Sequence, residues 1–253
     1  MQLDVQLLLV LALLATGATL LWSRRRSKEE APAALAGLPR LLTSATPWAS
    51  ALFPVLLAVL LVRAFVFEPY RIPTGSMAPT LAVGDYVFVS KFAYGLRLPV
   101  LNWRLLPLGS PQHGDVLVFV PPHESRYFIK RVVGLPGDRV RYVGGELYVN
   151  GHRSDIRLDA SDDATDGVQR FVEVLGDTPH LIQRVVGLGS REGEWLVPPD
   201  RYFMLGDNRD MSEDSRYWGY VAGEHIVGQA VAIWAHKAPG WALPTFARNG
   251  KIQ

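Results

Sequence analysis

Residues 7–22 read LLLVLALLATGATLLW without a single charge. With Leu3 and Val5 in front, this run approaches the roughly 20 residues needed to cross a hydrocarbon core about 30 Å thick. A second run, WASALFPVLLAVLLVRAFVF over 48–67, has Pro54 near its start and Arg63 close enough to its end to snorkel toward headgroups. Nothing else constrains the fold as strongly: the two runs predict transmembrane helices over 1–22 and 48–67. The rival readings are a cleaved signal peptide for the first and a buried core helix for the second. A signal peptide wants a basic n-region, whereas the residues before the first run carry Asp4 and no Lys or Arg, so an uncleaved helix is preferred.

Between the runs, 23–47 opens with Arg24, Arg25, Arg26 and Lys28 and then turns Ala-, Pro- and Ser-rich, as a flexible loop would. The positive-inside rule makes this basic loop cytoplasmic, which sends the N-terminus and all of 68–253 to the outer side. The net formal charge of +2 belongs to the same region. Six of the 26 Lys and Arg but only three of the 24 Asp and Glu fall within 1–67, leaving 68–253 one charge negative. Nucleic acid is therefore not an expected partner of the outer domain. Cysteine is absent, which removes disulfides, thiol nucleophiles and thiolate zinc sites.

After residue 67 the pattern changes to short β-branched and aromatic runs bounded by Gly, Pro and Asp. Strands are expected near 85–89, 115–120, 127–133, 139–142, 146–149, 170–175, 181–186, 202–205 and 225–234, with Gly144-Gly145 and Asn150-Gly151 as turns. The fold class is mainly β: two transmembrane helices followed by an extracytoplasmic, antiparallel, β-rich domain over 68–253, with 144–200 as an inserted β subdomain. The Asp-rich stretch 151–169 reads as a solvated surface loop, since 162–167 lacks the alternating oxygen ligands of a calcium loop. Residues 238–253, with Pro239 and Pro244, read as a tail.

Several familiar constellations are missing. There is no His-Glu-x-x-His, no Gly-x-Ser-x-Gly, no Ser-x-x-Lys and no Gly-x4-Gly-Lys. The six histidines are scattered, each read as structural or solvated, although a Ser–His–Asp triad is not excluded by spacing. The segment Ile72-Pro73-Thr74-Gly75-Ser76-Met77 forms a Pro-bounded turn in which Gly75 would permit backbone angles that expose the Ser76 hydroxyl. The bland reading is an ordinary turn serine.

A serine nucleophile needs a base, and the chain has five lysines against 21 arginines. Arg keeps its proton at accessible pH, whereas a desolvated Lys can lose it. Lys130 lies within a strand pattern, on the face shared by Phe128 and Val132. Burial there would bring its pKa toward the range of about 7–8 useful to a general base; the plain alternative is a lysine snorkelling from a strand edge. The frame Ile129–Leu135 recurs at 182–188 with Gln183 in place of Lys130, so a β-scaffold does not require an amine there. A third element, 202–219, runs from a strand into a loop dense in Asp, Arg and Ser, suited to holding a buried amine through hydroxyls and ion pairs, or else a polar surface loop.

Four segments in order now resemble a known family. They are the Ser76 turn from Ile72 to Leu81, Gly84-Asp85 through Lys91 to Gly95, Lys130-Arg131-Val132-Val133-Gly134-Leu135-Pro136-Gly137-Asp138, and Gly206-Asp207-Asn208-Arg209-Asp210-Met211-Ser212-Glu213-Asp214-Ser215-Arg216. Behind a two-helix anchor, these are similar to the boxes of bacterial type I signal peptidases. The resemblance implies a Ser–Lys dyad endopeptidase that removes signal peptides from exported preproteins after a small-x-small (Ala-x-Ala) motif. It implies Ser76 as nucleophile, Lys130 as general base, Ser212 as the hydroxyl that orients the amine, and Thr74 with the Ser76 N–H as oxyanion hole. It further implies supporting ion pairs among Arg131, Asp207, Asp214 and Arg216, and shallow pockets lined by Ile72, Met77, Phe128 and Ile129, with no metal and no cofactor. Thr74 stands where Ser is common and keeps the hydroxyl. Met211 stands where Asn is common and loses the amide.

The expected setting is a bacterial plasma (inner) membrane with the catalytic domain outside, the bilayer and preprotein signal peptides as partners, and room for contacts with the protein translocation machinery. Ser76 follows Phe67 by only nine residues, which would confine enzyme and membrane-held substrate to one shallow layer. Two alternatives stand beside this reading: a self-cleaving repressor-like Ser–Lys protease, against which the membrane runs argue, and a membrane-anchored non-enzymatic β-module that binds envelope partners.

Overall fold

A computed structural model describes residues 5–26, 38–65, 67–97, 104–106, 108–160 and 167–252. The chain divides into two compact units, Met1–Phe67 with Leu96–Leu106, and Glu68–Gly95 with Pro107–Gln253. The strands, in chain order, are β1 (Phe67–Arg71), β2 (Asp85–Ser90), β3 (Leu96–Arg97), β4 (Arg104–Leu106), β5 (Val116–Phe119) and β6 (Phe128–Gly134). There follow β7 (Arg139–Val143), β8 (Glu146–Val149), β9 (His152–Arg153), β10 (Asp155–Leu158), β11 (Val168–Leu175) and β12 (Thr178–Val185). The last are β13 (Gly193–Leu196), β14 (Arg201–Leu205), β15 (Val221–Ala222), β16 (Ile226–His236) and β17 (Gly250–Lys251).

In the first unit, α1 (Val5–Arg26) packs beside α2 (Leu38–Phe65). A Cβ on Gly17 would lie 3.3 Å from the Phe53 ring, so the glycine marks where the two helices close on each other. Thr16 and Thr19 return their hydroxyls to the carbonyls of Ala12 and Ala15, so neither of these two is left unpaired on an apolar surface. The windows Leu7–Arg25 and Ala45–Val62 have mean hydropathies of 1.8 and 2.0 and are only 6% buried. By length and composition both can cross a bilayer, and neither is the core helix of a folded domain.

The second unit is built on a sheet of order β1-β2-β16-β5-β6-β14-β15, with β17 on β16 and antiparallel pairing from β2 through β15. On one face Ile72, Met77, Leu81, Val87, Val89, Val116, Val118 and Ile129 form a buried cluster. On the other, Leu117, Phe119, Val132, Met204, Val221 and Ile226 form a second. Strands β5 and β6 are covered on both faces, which is why they read as nearly continuous apolar runs instead of alternating. Gly144-Gly145 (φ 57° and 76°) and Asn150-Gly151 (φ 53° and 82°) close the two hairpins of the β13-β7-β8-β9 sheet. Paired positive φ values are what two-residue hairpins with right-handed strand twist require.

Three expectations are corrected. The second helix does not run over 48–67: α2 begins at Leu38, so 38–47 is helical and not part of the loop expected over 23–47, Pro47 lies inside the helix, and Phe67 already opens β1. The stretch 151–169 is not simply a surface loop: it contains β9, β10 and the start of β11, and β10 pairs with β11 and β11 with β12. The apolar members of β10, Ile156 and Leu158, are spaced two apart behind charged neighbours, a pattern too short to stand out from composition. Asp162, Asp163 and Asp166, with the calcium question attached to them, lie outside the described residues. The 238–253 stretch is not a free tail either. Thr245 and His236 exchange backbone hydrogen bonds, β17 extends the sheet, and Arg248 grips the buried Asp85 carboxylate through Nε and Nη2. The near-repeat at 129–135 and 182–188 does not mark equivalent positions, because the first lies in the central strand β6 and the second in and beyond β12 of another sheet.

Candidate active site

The turn after β1 is held by its apolar residues. Ile72, Met77 and Leu81 are buried, and the backbone closes through Ala78 N–H to Gly75 O (3.1 Å) and Leu81 N–H to Met77 O (2.8 Å). Ser76 is thereby left half-buried between the exposed Thr74 and the core. Gly75 does not adopt a left-handed φ, contrary to expectation, and a Cβ there would meet nothing within 4 Å. Hydrogen bonding to its carbonyl, not special backbone angles, shapes the turn, and open space remains beside Ser76.

Lys130 stands opposite Leu117 in the middle of β6 and is 3% exposed. Its Nζ donates to Ser76 Oγ at 2.5 Å and lies 5.7 Å from the Phe128 ring centroid. Burial lowers the amine's pKa from 10.5 to about 8, against the opposing pull of the Asp214, Asp207 and Glu213 carboxylates. Thr74 Oγ1 sits 3.3 Å from Ser76 Oγ.

Residues 206–216 wrap this pair. Asn208 donates its backbone N–H to Ser76 O (3.2 Å) and its side-chain amide to Gly75 O (3.0 Å). Gly206 N–H donates to Asp214 Oδ2 (3.0 Å), and Asp214 caps the short helix α3 (Ser215–Trp218). The four expected ion-pair residues form two separate buried pairs. Arg131 meets Asp207 through Nε (2.8 Å) and Nη2 (2.7 Å), and Arg216 meets Asp214 through the same two nitrogens (2.8 and 2.7 Å). Burial pushes the Asp207 carboxyl up, but the Arg131 charge and hydrogen bonds outweigh it and hold the carboxyl below its usual range. Thr80, four residues beyond Ser76, adds a 2.5 Å hydrogen bond to Asp207 Oδ2.

Ser212 is buried, and its hydroxyl bonds neither Lys130 nor any other described group. It is nevertheless adjacent to the site: a Cβ on Gly206 would lie 2.2 Å from Ser212 Oγ and 2.5 Å from Ser76 O. Gly206→Ala must therefore displace one serine or the other. Its expected effect is a loss of roughly 100-fold or more in turnover, the scale of a 1 Å misplacement, checked by a cleavage assay alongside thermal melting. Of the expected pocket residues, Ile72, Met77 and Ile129 share one buried cluster, whereas Phe128 packs on the opposite face of the sheet beside Lys130. Met211 is 60% exposed.

The family model described as signal peptidase, peptidase S26 matches residues 45–235. The chain belongs to this family. Signal peptidase I of Pseudomonas aeruginosa is 48% identical over 217 residues, covering 79% of this chain and 76% of that protein. Signal peptidase I of Pseudomonas fluorescens is 44% identical over 218 residues, covering 79% and 77%. A solved signal peptidase I from Enterococcus faecalis V583 shares 30% identity, covering 48% of this chain and 97% of its own, with a TM-score of 0.31. As a signal peptidase family member the chain is a serine endopeptidase of the signal-peptide-cleaving kind, and it carries two helices long and apolar enough to cross a membrane.

No local pattern assigns an individual role to Thr80, Glu173, Gly206, Asn208 or Arg209, although all but Glu173 lie in segments that the sequence singles out. Asn208 and Arg209 stand inside the loop already singled out for its polarity, yet composition does not say which polar residue grips the nucleophile's backbone. Glu173 carries no local signal, because its partner Arg209 is brought to it only by the fold.

Proposed function

We propose that this protein is a membrane-anchored endopeptidase that cleaves the signal peptides of exported preproteins after a small-x-small (Ala-x-Ala) motif, with Ser76 as nucleophile and Lys130 as general base. The observation that carries the proposal is the contact between Ser76 Oγ and a buried lysine amine at 2.5 Å, with a pKa brought down to about 8. When Lys130 is neutral the contact reverses: the hydroxyl donates to Nζ, and Lys130 takes the proton as Ser76 Oγ attacks the scissile carbonyl. Thr74 Oγ1 and the Ser76 N–H are assigned to the developing oxyanion. Lys130 then returns the proton to the departing amine, leaving an acyl-enzyme. Water, deprotonated by the same amine, hydrolyses this ester. Ser212 is assigned to orient the amine, and Ile72, Met77, Phe128 and Ile129 to line shallow pockets for small residues.

The two apolar helices and the basic segment between them support placement in a bacterial plasma membrane with the peptidase unit on the outer face. The test is incubation of detergent-solubilised protein with a preprotein. Cleavage after the small-x-small motif is expected with the native sequence and is to vanish in Ser76→Ala. Undiminished cleavage by that variant would remove Ser76 from the reaction, and no cleavage by the native protein would favour the non-enzymatic β-module.

A further inference from the structure

Glu173 lies within β11, opposite His180 of β12, in a hairpin that contributes nothing to the Ser76–Lys130 contact itself. Its carboxylate is 1% exposed and held by several groups at once. Arg209 Nη1 donates to Oε1 at 2.9 Å and Arg209 Nη2 makes a short contact with Oε2, while Ser154 Oγ donates to Oε1 at 3.1 Å and His180 Nε2 lies 3.2 Å from Oε2. Burial would raise this carboxyl's pKa, but the Arg209 charge overrides it and keeps the group ionised well below the usual carboxylate range. A buried pair of this kind adds little net stability, because desolvation offsets most of the attraction. Its effect is better sought in the backbone it holds still.

That backbone leads to the nucleophile. Arg209 N–H donates to Gln183 O (3.0 Å), Gln183 N–H donates to Asp207 O (2.9 Å), and Arg209 O accepts from Arg216 Nη2 (2.6 Å). Strand β12 thus brackets 207–209, with Gln183 and Asn208 paired as a parallel bridge. Asn208, fixed between these bonds, is the residue that holds both Ser76 O and Gly75 O.

We propose that Glu173 is a positioning residue for the peptidase reaction: by clamping the Arg209 guanidinium it fixes Asn208 on the Gly75 and Ser76 carbonyls, and so keeps the Ser76 hydroxyl aligned with Lys130 and the scissile bond. The proposal rests on the Ser76–Lys130 reading above. Glu173 acts on the seryl backbone and leaves the surroundings of the lysine amine intact, so its loss should lower turnover without moving the pH at which the amine titrates.

The test uses the full chain in detergent, with steady-state cleavage of a preprotein by the native protein, Glu173→Gln, the double variant Glu173→Met/Arg209→Met, and Ser76→Ala. Glu173→Gln is expected to lower kcat roughly 10- to 100-fold, with KM within about 2-fold and the rising limb of the pH–rate profile at its native midpoint. The double variant removes both charges together, so it should melt at or above the native temperature while kcat stays depressed by about 10-fold or more. Native kcat in a stably folded double variant would reduce the clamp to a structural feature and overturn the proposal. A loss confined to KM would overturn it in favour of substrate contact. Cleavage abolished by Ser76→Ala but untouched by Glu173→Gln would sink the positioning role alone, whereas cleavage surviving in Ser76→Ala would sink the dyad reading and the positioning role together.

Discussion

Lys130→Met is expected to abolish preprotein cleavage and, at neutral pH, to make the fold more stable. Both effects follow from one cause. Burial brings the Lys130 pKa from 10.5 to about 8, so between those values the unfolded chain binds more protons than the native one, and stability from this group rises with pH across that window. It is fully present above 10.5 and lost as pH falls to about 8. At pH 7 the native protein therefore carries a buried ammonium that costs it about 3 kcal/mol relative to the unfolded state. Methionine fills similar space without the charge, so the variant should gain up to about 3 kcal/mol, or roughly 6–12 °C in melting temperature for a domain of this size. The gain should shrink as pH is raised from 8 to 10.5, which a melting series at several pH values measures directly. Native activity should rise with pH through about 8 as the amine loses its proton. A variant less stable than the native protein at pH 7 would mean that the neighbouring carboxylates fully compensate the ammonium.

The opposite outcome is expected at Asp207→Ala. Arg131 is fully buried, its guanidinium bound to Asp207 by two nitrogens and to Gly114 O by the third (2.7 Å). Removing the carboxylate leaves an uncompensated charge in the interior, a loss of about 3–5 kcal/mol, read as a fall in denaturation midpoint. Thr80 would lose its partner as well, loosening the turn that begins at Ser76. The Asp207 pKa is depressed in the folded state, so the native protein should lose this contribution as pH falls through and below the ordinary value of 3.8. The variant should show a shallower acid limb. Replacing both partners with apolar side chains, Arg131→Met with Asp207→Leu, should recover most of the loss.

Much of this molecule was legible in its chain. The two apolar helices, the β-rich remainder, the Gly144-Gly145 and Asn150-Gly151 hairpins and the Ser76, Lys130 and 206–216 segments could all be located from local patterns. What escaped reading is long-range. Strand β10 and the docked C-terminal segment are defined by their partners, β11 in one case and β16 and Asp85 in the other. Gly75 has a backbone freedom that it does not use, while Gly206 is required by the serine packed against it.

Residue type and order were enough to separate sequence apolar enough to cross a membrane from the β-rich remainder, to point to a serine and a lysine, and to indicate the family, because hydropathy and side-chain chemistry are carried by each residue wherever it lies. The behaviour of those residues was decided only in three dimensions. Lys130 has a lowered pKa because water is excluded by strands β5 and β14 and by a loop some eighty residues away, and desolvation is a sum over everything that surrounds a group. The hold of Glu173 on Arg209, and of Asn208 on the backbone of Ser76, likewise joins segments 36 and more than 130 positions apart. No local pattern encodes such contacts, since each side chain is an ordinary surface residue until the fold closes over it.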